Sequence, residues 1–345
     1  KEKFFRTRRI IMGNIQMESS LRAKNQKSFS QQNLFPLNPK QELLRKLKGQ
    51  NGTYKRYLGS PLRYAGGKSW AIGYVIEQIP DNIKRLVSPF FGGGSIEIAV
   101  AKELGIEVLG FEIFDILVNY WKTQIERPFD LFKELAQLKP NKETYNYVKQ
   151  ELKKHWEGKI KLPPLKLAVY YYFNHNLSYG PGFLGWMSSV YSSEDMYQRL
   201  IERVKNFEVS NIKVECASFE EVIPKFKNDF LYCDPPYYLG KDSSLFRGLY
   251  PQRNFPIHHN NFDHNLLREL LLAHKGGFIL SYNDSPTIRK WFKNFEIIEL
   301  PIHYTMGQGE TRIGFNRKKG NRNHIKKAKE LLIIRLSRDY KFYLQ

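Results

Sequence analysis

The stretch FLYCDPPYYLG at 230–240 constrains the fold more than any other part of the chain. Phe230, Leu231, Tyr232 and Cys233 run into an acid, two prolines and two tyrosines. An apolar run halted by Asp234, Pro235 and Pro236 predicts a buried strand that stops at the edge of its sheet. The prolines fix the local backbone and remove two N–H donors. Asp234 and the Pro235 carbonyl then present a fixed acceptor pair, with Tyr237 as an aromatic plate beside it. That arrangement suits an exocyclic amino group on a flat base. For the tetrapeptide alone, the plain alternative is a proline turn after a core strand.

A second site is written in RLVSPFFGGGSIEIAVAKELG at 85–105. Leu86 and Val87 read as a strand, Pro89 stops it, and Phe90 to Gly94 make a tight glycine turn. Residues 95–104 then read as a helix ended by Gly105. Strand, glycine turn and helix form the arrangement that binds an adenosine cofactor at a sheet's carboxyl edge. A further strand at 107–111 leads to Glu112, an acid suited to a ribose diol. Residues 92–97 read GGGSIE rather than GxGxxG, so pyrophosphate binding is not predicted. Upstream, PLRYAGGKSW at 61–70 supplies Gly66 and Gly67 for close backbone approach and Lys68 as a cation. A phosphate-binding Walker loop would need glycine where Leu62 stands.

Charge narrows the partner. The 345 residues carry 55 Lys and Arg against 34 Asp and Glu, a net +21. The excess points to a polyanion, most simply nucleic acid, although a ribosomal or membrane-surface role tolerates the same balance. Cys216 and Cys233 are the only cysteines and no histidines cluster with them, so no metal is expected. Neither a membrane-spanning apolar stretch nor a signal-peptide core is visible, and a reducing cytosol is expected.

The remaining chain reads mostly as support. Leu43, Leu44 and Leu47 suggest one short helix in a basic, polar N-terminal segment, and residues 113–160 look helical. The segment LKLAVYYYFNHNLSYGPGFLGWMSS at 165–189 starts as an apolar helix or strand, then turns polar. Asn174, Asn176, Ser178 and Tyr179 are predicted contacts to DNA or to an extruded base, against the alternative of an aromatic-packed loop. Ser218 is expected to cap a helix. Residues 242–261 read as a long polar loop that orders on DNA. In the basic run near the C-terminus, Arg317, Lys318, Lys319 and Arg322 are predicted phosphate contacts.

Joined, an adenosine-cofactor turn, an amine-gripping strand end and a basic surface predict methyl transfer from S-adenosyl-L-methionine (AdoMet) to a base nitrogen. The base must leave the stack to reach such a pocket. No cysteine nucleophile is needed.

Over roughly residues 61–336 the chain resembles the Dam-like, D12-class DNA N6-adenine methyltransferases in the alpha arrangement of their motifs. YAGGK at 64–68 looks like the family's N-terminal cofactor motif, which implies cofactor contacts from Tyr64, Ala65, Gly66 and Lys68. PFFGGGS at 89–95 looks like its motif I, implying the same for Pro89, Phe90, Gly92 and Gly94, and Glu112 falls at the ribose-binding acid. DPPY matches the catalytic motif, implying catalytic roles for Asp234, Pro235, Pro236 and Tyr237, with Asp234 also facing the cofactor. SYNDS at 281–285 resembles a later strand end.

The resemblance implies an α/β, Rossmann-like class I AdoMet-dependent methyltransferase with a mixed seven-stranded sheet and an inserted, mainly helical target-recognition domain. The expected divisions are a basic arm at 1–55, a catalytic domain at 56–125 and 211–345, and the insertion at 126–210. Where the family often has an acid before Phe to hold the cofactor's adenine, this chain has Ser218 before Phe219, with Glu220 and Glu221 as substitutes. No copy of a GATC-reading segment is present. Double-stranded DNA is the implied partner and S-adenosyl-L-homocysteine the product. A cognate restriction endonuclease acting on the same site without an obligate complex is compatible. The implied setting is the cytoplasm or nucleoid of a bacterium, archaeon or phage-infected cell. RNA adenine-N6 and DNA cytosine-N4 methylation are the rival activities, and a DNA-binding protein with an inactive methyltransferase fold is the non-enzyme rival.

Overall fold

The computed structural model describes residues 38–64, 66–179, 182–189, 193–240, 262–301 and 329–336. Ala65, the 242–261 loop and the phosphate contacts expected at Arg317, Lys318, Lys319 and Arg322 lie outside them.

Seven strands form one sheet: β1 (Arg85–Ser88), β2 (Glu107–Glu112), β3 (Ile212–Cys216), β4 (Phe230–Cys233), β5 (Phe278–Asn283), β6 (Glu296–Leu300) and β7 (Glu330–Arg335). Their order is β3-β2-β1-β4-β5-β7-β6. The first five are mutually parallel, whereas β7 runs antiparallel to both β5 and β6. The chain lays down β1, β2 and β3 toward one edge, then returns to start β4 on the other side of β1. This reversal opens a crevice at the carboxyl ends of β1 and β4, where doubly wound sheets bind their ligands. Val87 pairs with Leu231, so the glycine turn and Asp234 emerge side by side.

The apolar run predicted as a strand owes its burial to this central place. Phe230 and Tyr232 join the core on one face of the sheet, Leu231 and Cys233 the core on the other. A parallel strand covered on both faces reads as a continuous apolar run rather than an alternation.

Helices cover both faces. Along the chain these are α1 (Pro39–Leu47), α2 (Ile72–Gln78), α3 (Ser95–Leu104), α4 (Asp115–Glu126), α5 (Pro128–Ala136) and α6 (Lys142–Trp156). They are followed by α7 (Pro164–Leu177), α8 (Glu194–Lys205), α9 (Phe219–Lys225), α10 (His264–Ala273) and α11 (Pro286–Trp291). Four of them, α5 to α8, lie between α4 and β3. The apolar segment left open as helix or strand is the helix α7. Pro164 presets its first turn, and every residue from Leu167 to Leu177 is buried. Such all-round burial, against α4, α5 and α6, overrides the strand preference of its aromatic run. Ser218 does occupy the N-cap of α9, but its side chain makes no capping bond, which corrects the expected cap. No helix among the described residues is long and apolar enough to cross a membrane.

Candidate active site

The glycine turn after β1 is fixed from several sides. Gly94 takes a left-handed φ of 63° immediately before α3, a conformation that costs other residues about 1 kcal/mol or more. A Cβ on Gly93 would lie 2.5 Å from Cβ of Tyr64, so the 64–68 segment can lie directly on the turn. The carbonyl of Gly92 accepts a hydrogen bond from Trp121 Nε1 at 2.9 Å, and that of Gly93 accepts one from Ser60 Oγ at 2.8 Å.

Glu112, at the end of β2, ties the turn to the next strand. Its carboxylate accepts N–H bonds from Gly92 at 3.1 Å, Ile113 at 2.9 Å and Phe114 at 3.2 Å. Burial raises its pKa, and the three backbone donors oppose that shift. A carboxylate has about four acceptor positions, so this one keeps room for a hydroxyl.

On the other side of the crevice, Lys68 Nζ lies 2.7 Å from Asp234 Oδ1 and 3.4 Å from Glu330 Oε1. The ammonium also donates to the Gly66 carbonyl at 3.1 Å and sits 5.0 Å from the centre of the Tyr237 ring. Tyr237 Oη donates to Glu330 Oε1 at 2.5 Å. Asp234 retains 22% side-chain exposure, while Lys68 and Glu330 are enclosed. Burial pushes the Asp234 carboxyl up to about 6, with Glu330 adding to the rise and Lys68 pulling against it. Glu97, on α3, is buried and accepts from Ser88 Oγ at 2.6 Å. Burial raises it to about 8.

The backbone beyond Tyr237 is clamped. Asn283 Oδ1 accepts from Tyr238 N and Asn283 Nδ2 donates to Tyr238 O, each at 2.9 Å. Pro235 is buried and Pro236 half-buried, so the turn after β4 is held rigidly at both ends. Phe90 and Phe219 pack 5.5 Å apart beside the crevice. Ser218 is half-buried next to them, whereas Glu220 and Glu221 are exposed.

The structure therefore gathers the three segments 64–68, 89–94 and 234–237 with Glu112 around one crevice. It does not bring the predicted DNA contacts of α7 to the surface. Asn174, Asn176 and Ser178 are fully buried. Asn176 Oδ1 accepts from Arg63 N at 2.9 Å, and Asn174 Oδ1 from Leu184 N at 2.8 Å. Ser178 Oγ donates to the His175 carbonyl and accepts from Gly182 N, each at 2.9 Å. His175 Nε2 bonds the Arg63 carbonyl at 2.8 Å, and burial lowers its pKa to about 4. These side chains anchor the 61–64 segment and the loop after α7, which corrects their assignment to DNA. Tyr179 does face solvent, and Trp186, missed in the sequence, is exposed across a backbone bond from it. Ser60, Glu97, Trp121 and Glu330 also went unread. Asn283 had a signal, since it stands within SYNDS.

The donor set fits AdoMet. A Cβ on Gly66 would meet nothing within 4 Å, which leaves that backbone open to approach beside Lys68. The adjoining glycine turn and the Glu112 carboxylate match an adenosine's needs at a switch point. Among the described residues, no group of three or more His, Cys, Asp or Glu could hold a metal ion.

Sheet order, crevice and glycine turn together define a class I methyltransferase fold carrying a helical insertion. Residues 64–306 match the family model described as D12 class N6 adenine-specific DNA methyltransferase, and the chain belongs to that family. Two curated relatives are similar over part of the chain. One is the Type II methyltransferase M.FokI of Planomicrobium okeanokoites, 26% identical over 196 residues, which is 52% of this chain and 29% of the relative. The other is the modification methylase StsI of Streptococcus sanguinis, 26% identical over 197 residues, which is 53% of this chain and 29% of the relative. The matched stretch thus spans under a third of the length of either relative.

Proposed function

We propose that this protein methylates N6 of adenine at a specific site in duplex DNA. One observation carries the reading: the Asp234 carboxylate and the Pro235–Pro236 turn stand at the switch point, directly beside the glycine turn and with Tyr237 alongside.

Tyr64, Gly66, Lys68, the turn of Pro89, Phe90, Gly92 and Gly94, Glu112, Phe219 and Ser218 would hold AdoMet. When bound, AdoMet supplies an electrophilic methyl group and leaves as S-adenosyl-L-homocysteine. The amino nitrogen of adenine is conjugated with its ring and is a poor nucleophile. Asp234 and the Pro235 carbonyl accept its two hydrogens and favour a tetrahedral nitrogen whose lone pair points out of the ring plane. Tyr237 stacks on the extruded base. With its pKa raised to about 6, Asp234 is ionised at neutral pH and can hold the proton that N6 gives up.

Residues 126–210 form the target-recognition region within a catalytic domain at 56–125 and 211–345. Tyr179 there contacts DNA, and Arg317, Lys318, Lys319 and Arg322 contact phosphates. The words modification and Type II in the relatives' names favour a restriction–modification role with a cognate endonuclease. Asp234 favours adenine over cytosine N4.

Incubation with AdoMet and either mixed-sequence duplex DNA or RNA, followed by nucleoside mass spectrometry, tests the reading. N6-methyladenine in the DNA is expected. Methylation confined to RNA, or none at all under demonstrated AdoMet binding, would overturn it. Asp234→Ala should lower transfer at least ~100-fold while AdoMet binding changes far less, as read by calorimetry.

A further inference from the structure

Glu330 opens β7, beyond the stretch matched by the family model. It pairs in register with Asn283, the residue that clamps Tyr238. Its side chain is wholly buried, and one of its oxygens, Oε2, has no hydrogen-bond partner among the described residues. A buried carboxylate with an unsatisfied oxygen is costly and calls for an explanation. The surroundings are lopsided as well: Lys68 faces two carboxylates, Asp234 and Glu330. Packing alone would be served better by one acid.

The Lys68 ammonium now sits on Asp234 Oδ1, one of the two oxygens that could accept from the base's amino group under the reading above. Withdrawing Lys68 with no second carboxylate nearby would leave a buried, unpaired cation. Glu330 Oε1 already stands within ion-pair distance of it, and Oε2 has no partner among the described residues. We propose that Glu330 is a positioning residue. It holds Tyr237 through the phenol and shares Lys68 with Asp234, so the ammonium can move off the acceptor oxygen when the base arrives. The inference rests on Asp234 being that acceptor.

Among the described residues, the charged and titratable groups around Asp234 are Lys68 from the segment before α2, Glu330 from β7, Glu97 from α3, and Tyr232 and Cys233 from β4. Of these, Glu330 is the carboxylate whose charge raises Asp234. Glu330→Gln keeps an acceptor for Tyr237 but removes the charge, Glu330→Asp keeps the charge, and Glu330→Ala loses both.

The first readout is the Asp234 carboxyl titration in the cofactor-free protein, followed by NMR of carbon-13-labelled aspartate and assigned by loss of the signal in Asp234→Asn. The midpoint, near 6 in the native protein, should fall by about 1 unit in Glu330→Gln and recover in Glu330→Asp. The second readout is turnover. In Glu330→Gln, kcat should drop about tenfold or more at little change in KM, with the acid limb of the pH profile moved down. In Glu330→Ala, KM for DNA should rise too. An unchanged midpoint in folded Glu330→Gln, or an equal fall in Glu330→Asp, overturns the proposal. A fall in midpoint without any methyl transfer by the native protein supports the charge sharing while sinking the reading of function. Native-like midpoint and kcat in Glu330→Gln, with an active native enzyme, sink the Glu330 proposal alone.

Discussion

At the scale of single residues, the site stands on carboxylates held at unequal protonation. Glu97 is the extreme case, because it is buried and its pKa is raised from 4.5 to about 8. The folded protein keeps a proton there that the unfolded chain releases. Its contribution to stability is therefore greatest below 4.5 and is lost as pH rises toward about 8. Glu97→Gln mimics the protonated form. Its unfolding free energy relative to the native protein should rise across that window, by on the order of 5 kcal/mol at the top. A difference that stays flat with pH would contradict the buried, protonated carboxyl. Asp234 and Tyr237 were legible in the sequence because prolines and an acid ending an apolar run have few other uses. Glu97 and Glu330 were not, since a single acid inside a helix or at the head of a strand reads as surface until its neighbours are in place. Asn174 and Asn176 failed in the opposite direction. Polar residues next to a glycine-rich loop look exposed, yet here they satisfy backbone groups of Arg63 and Leu184.

At the scale of elements, the glycine turn and α3 make the proposed cofactor edge. Both Gly94 before α3 and Gly105 after it are left-handed, with φ of 63° and 68°. Their surroundings differ. A Cβ on Gly94 would come within 2.8 Å of the Phe91 ring, whereas one on Gly105 would meet nothing within 4 Å. Gly105→Ala should cost about 1 kcal/mol in thermal stability and leave AdoMet affinity intact. Gly94→Ala should cost more, at least ~2 kcal/mol, and weaken AdoMet binding measured by calorimetry. Equal effects of the two on binding would remove the turn from the cofactor site. Strand and helix identities here were readable from glycine and proline punctuation. The identity of α7 was not, because an aromatic run fits either state and only packing against α4, α5 and α6 decides between them.

At the scale of the whole molecule, the +21 charge and the crevice make one expectation together. If six or more phosphates are contacted, DNA affinity should fall at least ~1,000-fold between about 50 and 200 mM salt. Fluorescence anisotropy on a labelled duplex would measure this, and a flat salt response would argue against backbone contact. By itself the sequence determined the local pieces: the strand that stops at Asp234, the glycine turn with its helix, the acid at 112 and the basic excess. Each follows from backbone restriction or charge and needs no distant partner. Only the tertiary structure decided which pieces meet. The return of the chain to β4 beside β1 places Asp234 next to the glycine turn. The antiparallel insertion of β7 brings Glu330, far along the chain, to Lys68 and Tyr237. Long-range pairing depends on how the sheet is ordered and covered, and no local pattern records that order.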